Sequence, residues 1–138
     1  MASTDPRDLY GLSLDRFVPE RGALAKALRG EGDKEEAARV AALRKPSVAA
    51  WTVNQLMRTQ RAGVAALFDA GDELQRAQSD LLAGRGDAGA LREATRRARQ
   101  AAEELTGVAR GLLSSEGQEP TQTTLDRVSE TLHAAALD

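Results

Sequence analysis

The chain has no cysteine, one histidine, and only two phenylalanines, one tyrosine and one tryptophan in 138 residues. Without cysteine there can be no disulfide, thiolate metal ligand or cysteine nucleophile, and the composition suits a reducing, cytoplasmic setting. With so few aromatics the core must come from Ala, Leu and Val, which favours closely spaced helices over a β-sandwich. The lone His133 excludes a multi-histidine metal site and reads as a surface or boundary residue. The opening MASTDPRDLY lacks a basic stretch followed by an apolar run of about 7–15 residues, and no span of about 18 uncharged apolar residues occurs anywhere. Neither a secretory signal nor a membrane partner is expected. Charge of one sign is lacking too: 19 Lys and Arg face 21 Asp and Glu, a net charge of −2. No global field therefore draws the chain to nucleic acid or an anionic membrane, and any such binding has to be local.

What is present is helical periodicity. Residues 1–12 read as a polar N-terminal arm with a turn at Asp5-Pro6, Leu9 and Tyr10 being its anchors, and residues 13–138 as a single helical domain. The first helix is expected from Pro19 to Arg29, because proline at a first helical position loses no hydrogen bond, with Gly30 and Gly32 ending it. Asp33, with Glu36 three residues on, caps a second helix through Val40 to Leu43. Pro46 opens a third, to about Thr59. Two long helices, about 64–83 and 87–114, follow and should pair antiparallel about the Gly84-Arg85-Gly86 turn; Leu91, Ala94, Ala98, Ala101, Leu105, Val108 and Leu112 make a near-heptad seam on the second. Thr121 caps a last helix that is still in register at Asp138, so the chain reads as the N-terminal part of something longer. The expected fold is an all-α bundle of five or six helices.

Catalytic constellations are not legible. Asp69, Asp72, Glu73 and Asp80 form an acidic run on the fourth helix, but the Glu-x-x-His pairing of di-iron bundles is missing and a solvated face explains them. The GRGD at 84–87 resembles a phosphate-cradling turn, yet it lacks the established glycine spacings, and Asp87 would repel an anion while capping the helix itself. No cofactor motif stands out. Arg92, Arg96, Arg99 and Arg110 fall within roughly a 60° sector of the fifth helix, where they could track phosphates. Glu103 shares that sector and Glu93 and Glu104 flank it, which favours an ordinary ion-paired face.

One feature resists the plain reading. Projecting the third helix at about 100° per residue gathers Ala49, Ala50, Val53, Leu56 and Met57 on a core-facing arc and puts Trp51 roughly 160° away. Around the indole fall Ser47, Gln55, Arg58 and, at the flank, Asn54, beside a helix start carrying Arg44 and Lys45. An exposed indole among hydrogen-bonding residues is what a partner-binding surface contains. The competing reading sandwiches the helix, with Trp51 packing on the arm or first helix. Taken as a site, Lys45, Ser47, Trp51, Asn54 and Arg58 make a non-enzymatic protein-binding or regulatory module, with Arg44, Arg92, Arg96 and Arg99 as secondary phosphate contacts. The alternative is a DNA-binding helix-turn-helix over about 36–58, with VAAWTVNQL as the recognition helix. There Arg44 and Lys45 stand where the usual turn glycine is found. A homo-oligomer is compatible with either.

The stretch ALRKPSVAAWTVNQL, with LYGLSLDRFVPERGALAKALRGEGD upstream and LLAGRGDAGALREA downstream, resembles a group of uncharacterised actinobacterial proteins over most of the chain. Their pattern is KPS, then V or T, then AAWAVN. Lys45, Pro46, Ser47, Val48, Ala49, Ala50, Trp51, Val53 and Asn54 fit it, while Thr52 stands where the group has alanine. The resemblance implies no activity and no catalytic residue; a charged helical extension in some members agrees with a chain that continues.

Overall fold

In a computed structural model residues 5–137 are described. Residues 1–4 of the expected arm and Asp138 lie outside them. A 3-10 helix, Pro6–Gly11, is followed by α1 (Leu14–Gly30), α2 (Lys34–Ala41), α3 (Val48–Thr59), α4 (Arg61–Leu82), α5 (Ala88–Ser115) and α6 (Gln122–Leu137), with no strand among the described residues. The fold is an all-α bundle, as its composition and periodicity indicate.

Local chemistry sets most of the boundaries. Asp33, Ser47, Asp87 and Thr121 each stand just before a helix, where their side-chain oxygens accept the N–H of Glu36, Ala50, Ala90 and Thr124 at 3.2, 3.1, 2.7 and 3.2 Å. These satisfy donors that the first turn leaves without partners. At the other ends, Gly32, Gly84 and Gly117 adopt φ of 84°, 74° and 73°. In each case the next residue returns its N–H to a carbonyl of the last turn: Asp33 to Leu28, Arg85 to Asp80 and Gln118 to Leu113. Only glycine takes that left-handed turn without steric cost. The GRGD segment is thus a helix stop followed by a helix cap.

Two boundaries differ from expectation. α1 begins at Leu14 behind Ser13, so Pro19 lies inside the helix rather than at its first position. The turn so gained buries Leu14 and Phe17, to 4% and 1% exposure, and burial of that size outweighs one missing main-chain bond near a helix start. Gln60 alone, at φ −117° and ψ 52°, separates α3 from α4. Gly63 does not break the chain: it sits within α4, where an added Cβ would lie 3.0 Å from Leu105 Cδ2 on α5.

Two apolar cores result. The larger joins Leu56 of α3, Val64 and Leu67 of α4, Ala102, Leu105, Ala109 and Leu113 of α5, and Leu125, Val128, Leu132 and Ala136 of α6. Within it α4 and α5 share the most extensive contact. Gly63 meets Leu105 near one end and Glu73 meets Arg97 further along, so the two long helices run antiparallel. α6 approaches α4 so closely that a Cβ on Gly71 would collide with the Ala136 carbonyl oxygen. The smaller core gathers Leu9, Phe17, Ala25 and Val40, with Tyr10, Leu12, Leu24, Leu28 and Leu43 around it. The Tyr10 and Phe17 rings lie 5.3 Å apart, and the Arg21 guanidinium stands 5.9 Å from the Phe17 centroid. Residues 6–43 therefore form a small lobe on the four-helix body.

The two helices of the expected helix-turn-helix over 36–58 fall in different lobes. α2 packs against α1 in the small lobe, whereas α3 packs against α4, α5, α6 and the 3-10 segment. Residues 43–47 between them are non-helical link rather than a tight turn. No helix among the described residues is long and apolar enough to cross a membrane.

Candidate functional site: the outer face of α3 and the N-terminal segment

The sequence of α3 makes it a helix buried on two sides. Val48, Ala49, Val53 and Leu56 turn towards the body. Thr52, fully buried, returns its hydroxyl to the Val48 carbonyl at 2.8 Å, so the polar group costs nothing in the interior. On the other side Trp51, Gln55 and Arg58 fall at i, i+4 and i+7, a single stripe along the helix.

Each side chain of that stripe donates to a main-chain carbonyl of the N-terminal segment. Trp51 Nε1–H reaches Leu12 O at 2.7 Å, Gln55 Nε2–H reaches Tyr10 O at 3.0 Å, and Arg58 Nη2–H reaches Arg7 O at 2.7 Å. The Arg58 guanidinium also lies against Gly11, where a Cβ would meet Nη1 at 3.1 Å. A short 3-10 helix leaves several carbonyls without internal partners, and the α3 stripe supplies the missing donors. The three contacts clasp the segment to the helix.

The indole is accordingly only 3% exposed. Trp51 is not an open partner-binding side chain; it packs under the N-terminal segment, because the face opposite the body core is covered by residues 7–12. Its N–H has a carbonyl partner, as a buried indole requires. Ser47 is exposed but serves as the cap of α3. Lys45 and Arg44 are exposed on the link, at the other end of α3 from Arg58. Of the five residues singled out in the sequence, Asn54 and Arg58 share a surface groove, and there they meet Arg7, Tyr10, expected as an anchor of the arm, and Met57, expected on the core-facing arc. The groove is a shallow depression of about 410 Å³, open to solvent, between the 3-10 segment and α3. Met57 is 41% exposed although its helical position belongs to the apolar arc. Half-buried Asn54 makes no side-chain hydrogen bond among the described residues, and Arg58 pairs with no carboxylate there.

At the rim, the Arg7 guanidinium, followed by its main-chain N–H, holds the Asp5 carboxyl down at about 2. Arg7 is raised in return. Of the phosphate contacts expected on α5, Arg96 is engaged within its own helix. Arg96 lies 2.6 Å from Glu93 and 3.2 Å from the Gln100 side-chain oxygen, and its hydrogen bonds push the Glu93 carboxyl down to about 2. Arg92 and Arg99 are exposed on the same helix, and none of the three lines the α3 groove. Arg97, outside the expected sector, ties α5 to α4 through Glu73 at 2.9 Å. Among the described residues, no group of three or more His, Cys, Asp or Glu is placed to hold a metal ion. No protein-family model, no curated protein and no solved structure matches the chain.

Proposed function

We propose that this chain is a non-enzymatic, cytoplasmic protein-binding module that meets its partner at the groove between the 3-10 segment and α3. The observation that carries the reading is the lining of that groove. An exposed methionine, a half-buried tyrosine ring, an amide with unused hydrogen-bonding capacity and an arginine without a carboxylate converge on one surface. Methionine and tyrosine adapt to apolar side chains at low entropic cost, while Asn54 and Arg58 offer directional bonds to a partner's main chain or carboxylates. The clasp beneath keeps the surface preformed, which lowers the ordering cost of binding.

The test is affinity capture with quantitative mass spectrometry on wild type, Met57→Asp, Asn54→Ala and, as a control on α5, Arg99→Ala. A partner at this groove is lost with the first two variants and kept with the third. The recovered protein, prepared separately, should bind wild type at least tenfold more tightly than Met57→Asp. If every captured species is insensitive to Met57 and Asn54, the groove is not the site.

A further inference from the structure

We infer that the small lobe is exchangeable between two copies of this chain, each copy's α3 clasping residues 7–12 of the other. The inference is independent of the groove's partner and rests on how the two lobes are joined. Residues 6–43 have their own core, and the body built from α3 to α6 has another. Among the described residues, the hydrogen bonds from α3 to the small lobe are the three of the clasp, made between residues 39, 45 and 51 positions apart in sequence. All three accept at main-chain carbonyls, so they require the path of the N-terminal segment and not its membership of the same molecule. A second copy presents the identical carbonyls in the identical geometry.

What decides between self and partner is the link. Arg21 Nη1 holds the Leu43 carbonyl at 2.7 Å, which fixes the lobe end, and the Trp51 N–H to Ser47 O bond of 2.9 Å fixes the start of α3. Between these points Arg44, Lys45 and Pro46 make no main-chain hydrogen bond among the described residues, and Arg44 and Lys45 are exposed. Proline fixes its own φ and disfavours helical backbone at the residue before it, so this non-helical stretch resists compaction and favours the path an open hinge needs. Opening it costs no helix and uncovers no core if a second lobe takes the vacated place. Reciprocal exchange of this kind closes on itself as a two-fold dimer.

A short link holds its own lobe at an effective concentration of the order of millimolar, so the closed monomer wins in dilute solution and exchange competes near that concentration. The experiment refolds the full chain from denaturant at about 1 μM and about 1 mM and measures mass by light scattering after size exclusion. The expected dimer fraction rises at least tenfold between the two. Deleting Arg44 and Lys45 removes about 7 Å of reach at roughly 3.3–3.6 Å per residue and should make the dimer dominant at both concentrations. Inserting Gly-Ser-Gly-Ser between Leu43 and Pro46 of that deletion variant should restore the monomer. Because the chain has no cysteine, the occupant can be identified with Arg7→Cys/Asn54→Cys, two residues that line one groove, and a short bismaleimide. In the dimer fraction the reagent should join two chains covalently, and in the monomer fraction it should close within one. A dimer that cross-links only within chains is side-by-side and overturns the inference. So does a wild-type chain that stays monomeric at the higher refolding concentration, a result that stands even if the deletion variant fails to fold.

Discussion

Replacing Trp51 with Phe is the most direct probe of the clasp. The substitution keeps an aromatic ring in a site only 3% exposed but deletes the N–H that reaches Leu12 O at 2.7 Å. Two costs follow. The Leu12 carbonyl loses its donor beneath a covered face, which costs about 1–3 kcal/mol. The smaller ring leaves part of the indole volume empty, adding about 1 kcal/mol. The sum is about 2–4 kcal/mol. For a chain of this length, the usual unfolding entropy converts 1 kcal/mol into about 3 °C, so Tm should fall by roughly 6–12 °C. Thermal and urea unfolding followed by circular dichroism measure it. Wild-type fluorescence supplies a second reading, since Trp51 is the sole tryptophan and a shielded indole emits to the blue of a solvated one. Asn54→Ala, which removes no side-chain bond seen among the described residues, should change stability by less than about 0.5 kcal/mol. Solvated emission from native protein, or a Trp51→Phe variant as stable as wild type, would refute the clasp and return the indole to the surface.

Other substitutions separate close packing from open surface. Gly71→Ala drives a methyl into the Ala136 carbonyl oxygen, so α6 must shift; a net loss of about 1–3 kcal/mol in urea unfolding is expected despite alanine's better helix propensity. Gly107→Ala meets nothing within 4 Å on α5 and should instead gain about 0.5–1 kcal/mol. Ser47→Ala removes the acceptor for the Ala50 N–H, at a cost of about 1 kcal/mol by the same assay. Glu93 is lowered from 4.5 to about 2 by Arg96 and then Arg97. A depressed carboxyl stabilises the fold above its unfolded pKa and loses that contribution as pH falls, so its support should vanish between about pH 4.5 and 2 and be absent in Glu93→Gln; side-chain NMR titration that finds an ordinary carboxyl would contradict the pairing.

The legible parts of this fold were those governed by local chemistry. Asp33, Asp87 and Thr121 announce helix starts because a short side-chain acceptor is needed there whatever the rest of the molecule does, and the periodicity from Leu91 to Leu112 announces α5, although beyond Ala98 the buried residues are Ala102, Leu105, Ala109 and Leu113, with Ala101, Val108 and Leu112 only partly covered. Pro19 misleads for the converse reason: its preference for a first position is local, but whether α1 extends back to Leu14 depends on the core waiting for Phe17. Trp51 is the extreme case. A helical projection finds Ala49, Val53 and Leu56 of the face that meets the body, misses Thr52 and wrongly adds Ala50 and Met57, which are exposed; it also labels the opposite face solvent, which assumes one layer of packing. The cover comes from residues 7–12, across separations of 39 to 51 positions, and periodicity within α3 carries no trace of it.

A trace is nonetheless present in the chemistry of the stripe. Trp51, Gln55 and Arg58 share one property beyond their spacing: each reaches out with an N–H donor, and none is a carboxylate. Solvated helix faces in this chain look different. They mix signs at i, i+3 and i+4, as Arg16 with Glu20, Arg39 with Glu36 and Arg96 with Glu93 do. A stripe of donors without acceptor charges suits a neighbour that is all acceptors, and in a helical protein the main source of spare acceptors is irregular main chain, whose carbonyls lack ladder partners. The arm, with its Asp5-Pro6 turn, is such a segment. By this reasoning the two readings of the KPSVAAW helix differ less than they first seem to: its outer face is built to hold a peptide by its backbone, and residues 7–12 occupy it.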